Sequence, residues 1–103
     1  MVDNMSIADI ERYNRLLEVY GGLLSDRARE ILSDYITYGL SITEIADARN
    51  VSKQSVSTTI RRALRNLEKY EDVLGVLSLL DIVDKKCPEV AEVWIKTRER
   101  GEA

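Results

Sequence analysis

In the stretch SKQSVSTTIRRALR, hydroxyl, amide and cationic side chains recur at helical spacing with no carboxylate among them. Ser52 and Ser55 fall in the first turn of a helix, where hydroxyls and free backbone N–H groups point at an anion such as phosphate. If Val56 and Ile60 face a core, the helical period turns Lys53, Gln54, Ser57, Thr58 and Arg61 outward. A Gln54 amide can bond N7 and N6 of adenine together, and Lys53 suits the O6 and N7 of guanine. Arg61, Arg62 and Arg65 supply the charge that neutralises phosphates. Between Arg49 and Lys69 there are six basic residues (Arg49, Lys53, Arg61, Arg62, Arg65, Lys69) against one acid, Glu68, although the whole chain carries −3. A segregated basic face on an acidic body is the electrostatic footprint of phosphate binding. Two blander readings stand beside it: Ser52 as a plain N-cap, and the cations as a solvated face paired with Glu68, Glu71 and Asp72.

Other chemistries lack their groups. With no His and a single Cys, Cys87, the chain offers no zinc site, Ser-His-Asp relay, Cys-His pair or internal disulfide. The pairs Asp26/Glu30 and Asp81/Asp84 have helical spacing, but nothing converges on them, so no catalytic residue, metal ligand or cofactor is assigned and a non-enzyme is expected. Tyr13, Tyr20, Tyr35, Tyr38 and Tyr70 are candidates for stacking on bases, yet the first three sit on apolar stripes and read as core or boundary residues. No secretory signal pattern or apolar run near the ~20 residues of a membrane span occurs. A soluble, cytoplasmic protein is therefore expected.

The elements that must position these residues are helices. At 103 residues, with one Pro, five Gly and no Phe, the composition suits one all-α domain. Ser6 and Asp9 form a variant capping box ahead of Ile10, Tyr13, Leu17 and Tyr20, which predicts a helix over about Ile7 to Tyr20. Gly21-Gly22 stops it. Ser25 caps a second helix with the stripe Ala28, Ile31, Leu32, Tyr35 and Ile36, ending near Gly39. Ser41 and Glu44 make a capping box for a short helix that buries Ile42, Ile45 and Ala46. Thr43 there is placed to donate to a phosphate, whereas Glu44 reads as a cap. Ser52 opens a long helix whose stripe Val56, Ile60, Ala63/Leu64, Leu67 and Leu74 meets no breaker before Gly75. Pro88 begins a last helix with Val90, Val93 and Trp94, and the tail RERGEA is expected to fray.

Ile42 to Arg62 reads as a helix-turn-helix. Two steeply crossing helices need a small residue at closest approach, a residue tolerant of positive φ in the turn, and apolar residues locking the second helix. Ala46, Asn50, Val51, Val56 and Ile60 meet those needs in order. The alternative is an ordinary bundle, in which two capped helices also meet at a tight turn.

The segment LSDRAREILSDYITYGLSITEIADARNVSKQSVSTTIRRALRNLE resembles the fourth region of bacterial sigma factors, the helix-turn-helix that reads promoter elements. With IERYNRLLEVYGGLL before it and KYEDVLGVL after it, the chain from about Ile10 to Leu77 is similar to the small bacterial YlxM family, whose genes lie beside that of the signal recognition particle GTPase. Where such relatives read NVSRQAVYDNIRR or similar, this chain has NVSKQSVSTTIRR, with Lys53 for Arg and Ser57 for Tyr. The C-terminal third departs further, because the family commonly ends in charged helical sequence and this chain has VLGVLSLLDIV. The resemblance implies a helix-turn-helix fold and either nucleic-acid binding or a link to the signal recognition particle pathway.

The reading is thus an all-α, sigma-region-4-like helix-turn-helix bundle with additional C-terminal helices. It forms one domain over 1–103, with the helix-turn-helix at 41–70 and a helical association segment at 71–100. Its expected partner is duplex DNA or structured RNA, in a transcription-regulatory role. Val73, Val76, Leu77, Leu80 and Val83 form one apolar stripe while Leu74, Leu79 and Ile82 lie outside it, so one small core cannot hide both sets. A homodimer through Leu74, Leu77, Leu79, Leu80 and Ile82 is expected, the alternative being a monomer in which the first and last helices together wrap this segment. The rival reading is a protein-interaction adaptor that keeps the helix-turn-helix as scaffold and docks a partner through Val73–Val83.

Overall fold

Ser6 opens the first helix of the computed structural model, which describes residues 5–101. Its hydroxyl accepts the Asp9 N–H at 3.1 Å while the Asp9 carboxylate accepts the Ser6 N–H at 3.2 Å, so the capping box closes with Asp in place of Glu. Helix α1 runs over Ile7–Tyr20, and a 3-10 turn at Gly21–Leu23 ends it. Ser25 caps α2, Asp26–Ile36. Gly39, at φ +69, then reverses the chain into the Ser41 capping box of α3, Ile42–Arg49. Helix α4 spans Lys53–Leu74, α5 Val76–Lys86 and α6 Pro88–Glu99. Among the described residues there is no strand, and the fold is all-α as expected. Helix α6 continues into the tail expected to fray, whose last two residues lie outside the described ones.

Helix α4 is the axis of the bundle. Its row Val56, Ile60, Ala63, Leu64 and Leu67 is buried, and α1, α2 and α3 pack around it. Leu16 and Tyr20 from α1, Ile31, Leu32 and Ile36 from α2, and Ile45 and Ala46 from α3 complete the core. On α1 the buried face centres on Leu16, which the stripe omitted. Tyr13 and Leu17 flank it half-buried, and Ile10 is exposed.

The C-terminal segment corrects the sequence reading at one point. Gly75 adopts the left-handed conformation, at φ 64, and splits Val73–Val83 between the last turn of α4 and the start of α5. The two sets of apolar residues therefore do not lie on one helix. Leu77 is buried within the protomer at 3% exposure and so cannot offer its side chain to a second copy, while Leu80 is half-buried. Leu74, Leu79 and Ile82 remain outside, at 56%, 57% and 58% exposure.

Gly75 leaves α5 without a capping side chain, and other helices supply one. The Tyr20 hydroxyl of α1 accepts the Val76 N–H at 3.0 Å and donates to the Glu71 carboxylate at 2.6 Å. Glu71 also accepts the N–H groups of Leu77 and Ser78, at 2.9 and 3.0 Å, and the Ser78 hydroxyl at 2.7 Å. The first three orphan donors of α5 are thereby satisfied, with a negative charge at the positive end of the helix.

Candidate nucleic-acid interface

The turn between α3 and α4 has the backbone that a helix-turn-helix needs. Asn50 sits at φ 55, ψ 47 and is the only non-glycine with positive φ among the described residues. Asn tolerates this conformation better than other residues bearing a Cβ. The Val51 N–H returns to the Ala46 carbonyl at 3.0 Å, which satisfies an orphan acceptor of α3 and turns the chain tightly. Ser52 then accepts the Ser55 N–H at 3.0 Å. The plain N-cap reading of Ser52 is therefore seen directly.

Two adjacent rows run along the outer side of α4. Gln54, Thr58, Arg61 and Arg65 recur at i, i+4, i+7 and i+11, and Ser55, Thr59, Arg62 and Asn66 form the next row, about 100° round the helix. Lys53, Gln54, Arg61, Arg62 and Arg65 are exposed, while Ser55, Ser57 and Thr58 are half-buried. Arg61 lies back along its own helix, donating to Ser57 at 2.7 Å and to Thr58 at 3.5 Å. Its guanidinium is thus held over two of the residues expected to face outward. The side chains of Lys53, Gln54, Arg62 and Arg65 make no hydrogen bond or ion pair with other described residues. Thr43 is exposed on the first turn of α3, and the Glu44 carboxylate beside it is turned back to accept the Ser41 N–H at 2.9 Å.

The charge pattern differs from the linear count at both ends. Arg49 is held by Asp34, through Nε at 3.1 Å and Nη2 at 2.8 Å, with Glu30 at 4.0 Å. It belongs to an α2–α3 contact and leaves the basic face. Glu68, the one acid of the segment, is taken by Arg12 of α1 at 2.9 Å, and Glu71 is buried under α5. Neither carboxylate pairs with the cations of α4. Lys53, Arg61, Arg62, Arg65 and Lys69 have no acidic partner within ion-pair distance among the described residues.

Arg27 is a cation that sequence reasoning missed. From the start of α2 it donates to Thr59 at 3.1 Å and Ser55 at 3.2 Å, so it joins the outer surface of α4 from a different helix. No local pattern marks it, because its partners lie 32 and 28 residues away.

The remaining candidates are placed elsewhere. Asp26 pairs with Arg29 and Asp81 with Arg15. Tyr20 is buried, with its ring 6.1 Å from that of Tyr70, and Tyr13 and Tyr35 are half-buried; Tyr38 is exposed. No described helix is long and apolar enough to cross a membrane.

Fold and turn geometry together define a helix-turn-helix protein. Residues 7–98 match the family model described as "Putative helix-turn-helix protein, YlxM / p13 like", and the chain belongs to that family. The match reaches well beyond Leu77, so the apolar C-terminal third that read as a departure lies inside the family's span. Similar proteins include a UPF0122 protein of Desulforamulus reducens, 35% identical over 92% of this chain and 80% of its own length. Others are one of Fusobacterium nucleatum, 36% identical over 79% of each chain, and one of Symbiobacterium thermophilum, 40% identical over 68% of this chain and 65% of its own. No solved structure matches.

Proposed function

We propose that this protein binds duplex DNA through the outer face of α4 and acts as a transcription regulator of the sigma-region-4 type. The observation that carries this reading is the set of five cations on α4, Lys53, Arg61, Arg62, Arg65 and Lys69, left without carboxylate partners while Arg49 is neutralised elsewhere. A surface that concentrates unpaired positive charge on one helix of an acidic protein attracts phosphate and orients the remainder away from it. In this reading Gln54 and Lys53 contact base edges, Ser57 and Thr58 line the groove, and Arg61, Arg62, Arg65 and Thr43 contact phosphates. Ser52 serves as the cap that starts the helix. Fluorescence anisotropy with a labelled mixed-sequence duplex tests it. Binding at low salt that weakens with a log–log slope of roughly −3, about 0.9 for each phosphate neutralised by Arg61, Arg62 and Arg65, is the expected result. Absence of binding at low salt by protein whose circular dichroism is helical would overturn it. An RNA duplex run in parallel shows which backbone is preferred.

The same reading includes a homodimer joined at Leu74, Leu79 and Ile82, which would set two α4 helices on half-sites about 34 Å apart. The exposure of those three residues supports it. In sedimentation equilibrium at micromolar concentration the native chain is expected to be dimeric and the double substitution Leu79→Glu, Ile82→Glu monomeric. A monomeric native chain would instead favour the second reading. There the same apolar residues dock another protein, in line with an adaptor role in the signal recognition particle pathway.

A further inference from the structure

Beside the outer face of α4 lies a groove with its own chemistry. Arg27 of α2 and its cap Ser25 line one side, and Thr59, Arg62 and Asn66 of α4 line the other. Arg27 is tied across the groove by its bonds to Thr59 and Ser55. These bonds use Nη1 and Nη2 once each, so a guanidinium with five N–H donors keeps several available. Both acceptors are neutral hydroxyls, so the charge of Arg27 is not cancelled. Neither Arg27 nor Arg62 has a carboxylate within ion-pair distance among the described residues, and the acid next to Arg27 in sequence, Asp26, is held by Arg29 at 3.1 Å. Two like charges lining one groove, with the Thr59 hydroxyl and the Asn66 amide on the same wall, form a receptor for an anion that accepts several hydrogen bonds.

We infer that the groove between α2 and α4 is a second phosphodiester site, in which Arg27 and Arg62 grip the backbone of one DNA strand beside the base-reading face. It rests on the DNA-binding reading above and adds to it a contact from outside the helix-turn-helix. Ser55, Thr59, Arg62 and Asn66 lie about 100° round α4 from Gln54, Thr58, Arg61 and Arg65. When Gln54 and Thr58 at the start of the helix face the floor of a major groove, the neighbouring row faces its wall, and Arg61 and Arg65, further along α4, reach the backbone as the helix leaves the groove. Arg27 is a positioning residue in two senses: its bonds to Ser55 and Thr59 fix the angle of α2 against α4, and its charge anchors the strand. Contacts of this kind set register without reading sequence.

The test compares Arg27→Gln with the native chain and with Arg15→Ala, which removes a cation distant from the groove. Gln keeps the stem and a polar amide without the charge, and Arg27→Lys, which keeps the charge but not the paired bonds to Thr59 and Ser55, separates the phosphate contact from the packing role by retaining the salt slope. The melting temperature of Arg27→Gln is expected to stay near native. Duplex affinity is expected to fall about tenfold for every sequence tested, and the log–log salt slope to lose about 0.9. Arg15→Ala leaves both unchanged. Arg27→Ala, which also loses the bonds to α4, checks the result by showing the same loss of slope. If the native protein binds DNA, Arg61→Ala weakens it and Arg27→Gln changes neither affinity nor slope, the groove is not a phosphate site although the DNA reading survives. If the native protein binds no duplex at low salt, both fail together.

Discussion

Replacing Glu71 with Ala is expected to lower folding stability by roughly 3 kcal/mol, more than any exposed substitution on the same helix. The residue continues the buried row of α4 one turn beyond Leu67 and is only 8% exposed. Burial on its own would raise the carboxyl above its ordinary value. Hydrogen bonds from Tyr20, from the Ser78 hydroxyl and from the Leu77 and Ser78 N–H groups outweigh burial and lower it from 4.5 to about 2. Such a displacement corresponds to roughly 3 kcal/mol favouring the folded chain when the carboxylate is charged. Because the folded value is the depressed one, this contribution is complete above about 4.5 and is lost as pH falls from there towards about 2. Urea unfolding of the native protein should show its midpoint dropping across that window. Glu71→Gln, which cannot ionise, should be less stable at neutral pH and lose less stability than the native chain over the same acidification. Tyr20→Phe, which strands the Val76 N–H and removes one donor to Glu71, should cost about 1 kcal/mol and couple strongly to the Glu71 substitutions. Independent, additive effects from the two positions would mean that they do not act as one cap.

The double substitution Arg61→Ala, Arg65→Ala is expected to weaken binding to duplex DNA about a hundredfold, or roughly 3 kcal/mol, and to reduce the log–log salt slope by about 1.8. Both arginines lie on the outer row of α4 and neither has a carboxylate to release, so their full charge is available to phosphate. The loss should be the same for every duplex. Gln54→Ala provides the contrast, since removing a base-edge contact should cost about 1–3 kcal/mol at one base pair and leave the slope intact. Competition titrations with single-base variants of a selected site would separate the two behaviours. Sequence-blind losses from Gln54→Ala would show that the domain recognises only backbone and shape.

Much of this protein was legible locally. Ser6, Ser25, Ser41 and Ser52 each cap the helix that follows, and Asn50 takes the left-handed turn, because capping and positive φ depend on residues within a few positions of one another. The buried rows of α2 and of α4 from Val56 to Leu67 follow from helical period alone, whereas Leu74, the last residue of the expected α4 stripe, is exposed and Glu71 is buried in its place. Hydrophobic pattern could not say which apolar residues near Gly75 face inward. The left-handed backbone there redirects the chain, sending Leu77 into the core while Leu74 and Leu79 stay outside.

Tertiary structure alone decided how the charges are distributed. In the linear sequence Arg49 counts towards the basic segment, Glu68 and Glu71 look like its counter-ions, and Arg27 belongs to another helix. In the folded chain Arg49 is bound by Asp34, Glu68 by Arg12 and Glu71 by the N-terminus of α5, whereas Arg27 joins Ser55 and Thr59. Capping and amphipathic burial act over one or two turns, so the sequence order displays them. Ion pairs and side-chain bridges between helices act across separations such as the 56 residues from Arg12 to Glu68, and only the packing of the helices brings those groups within reach.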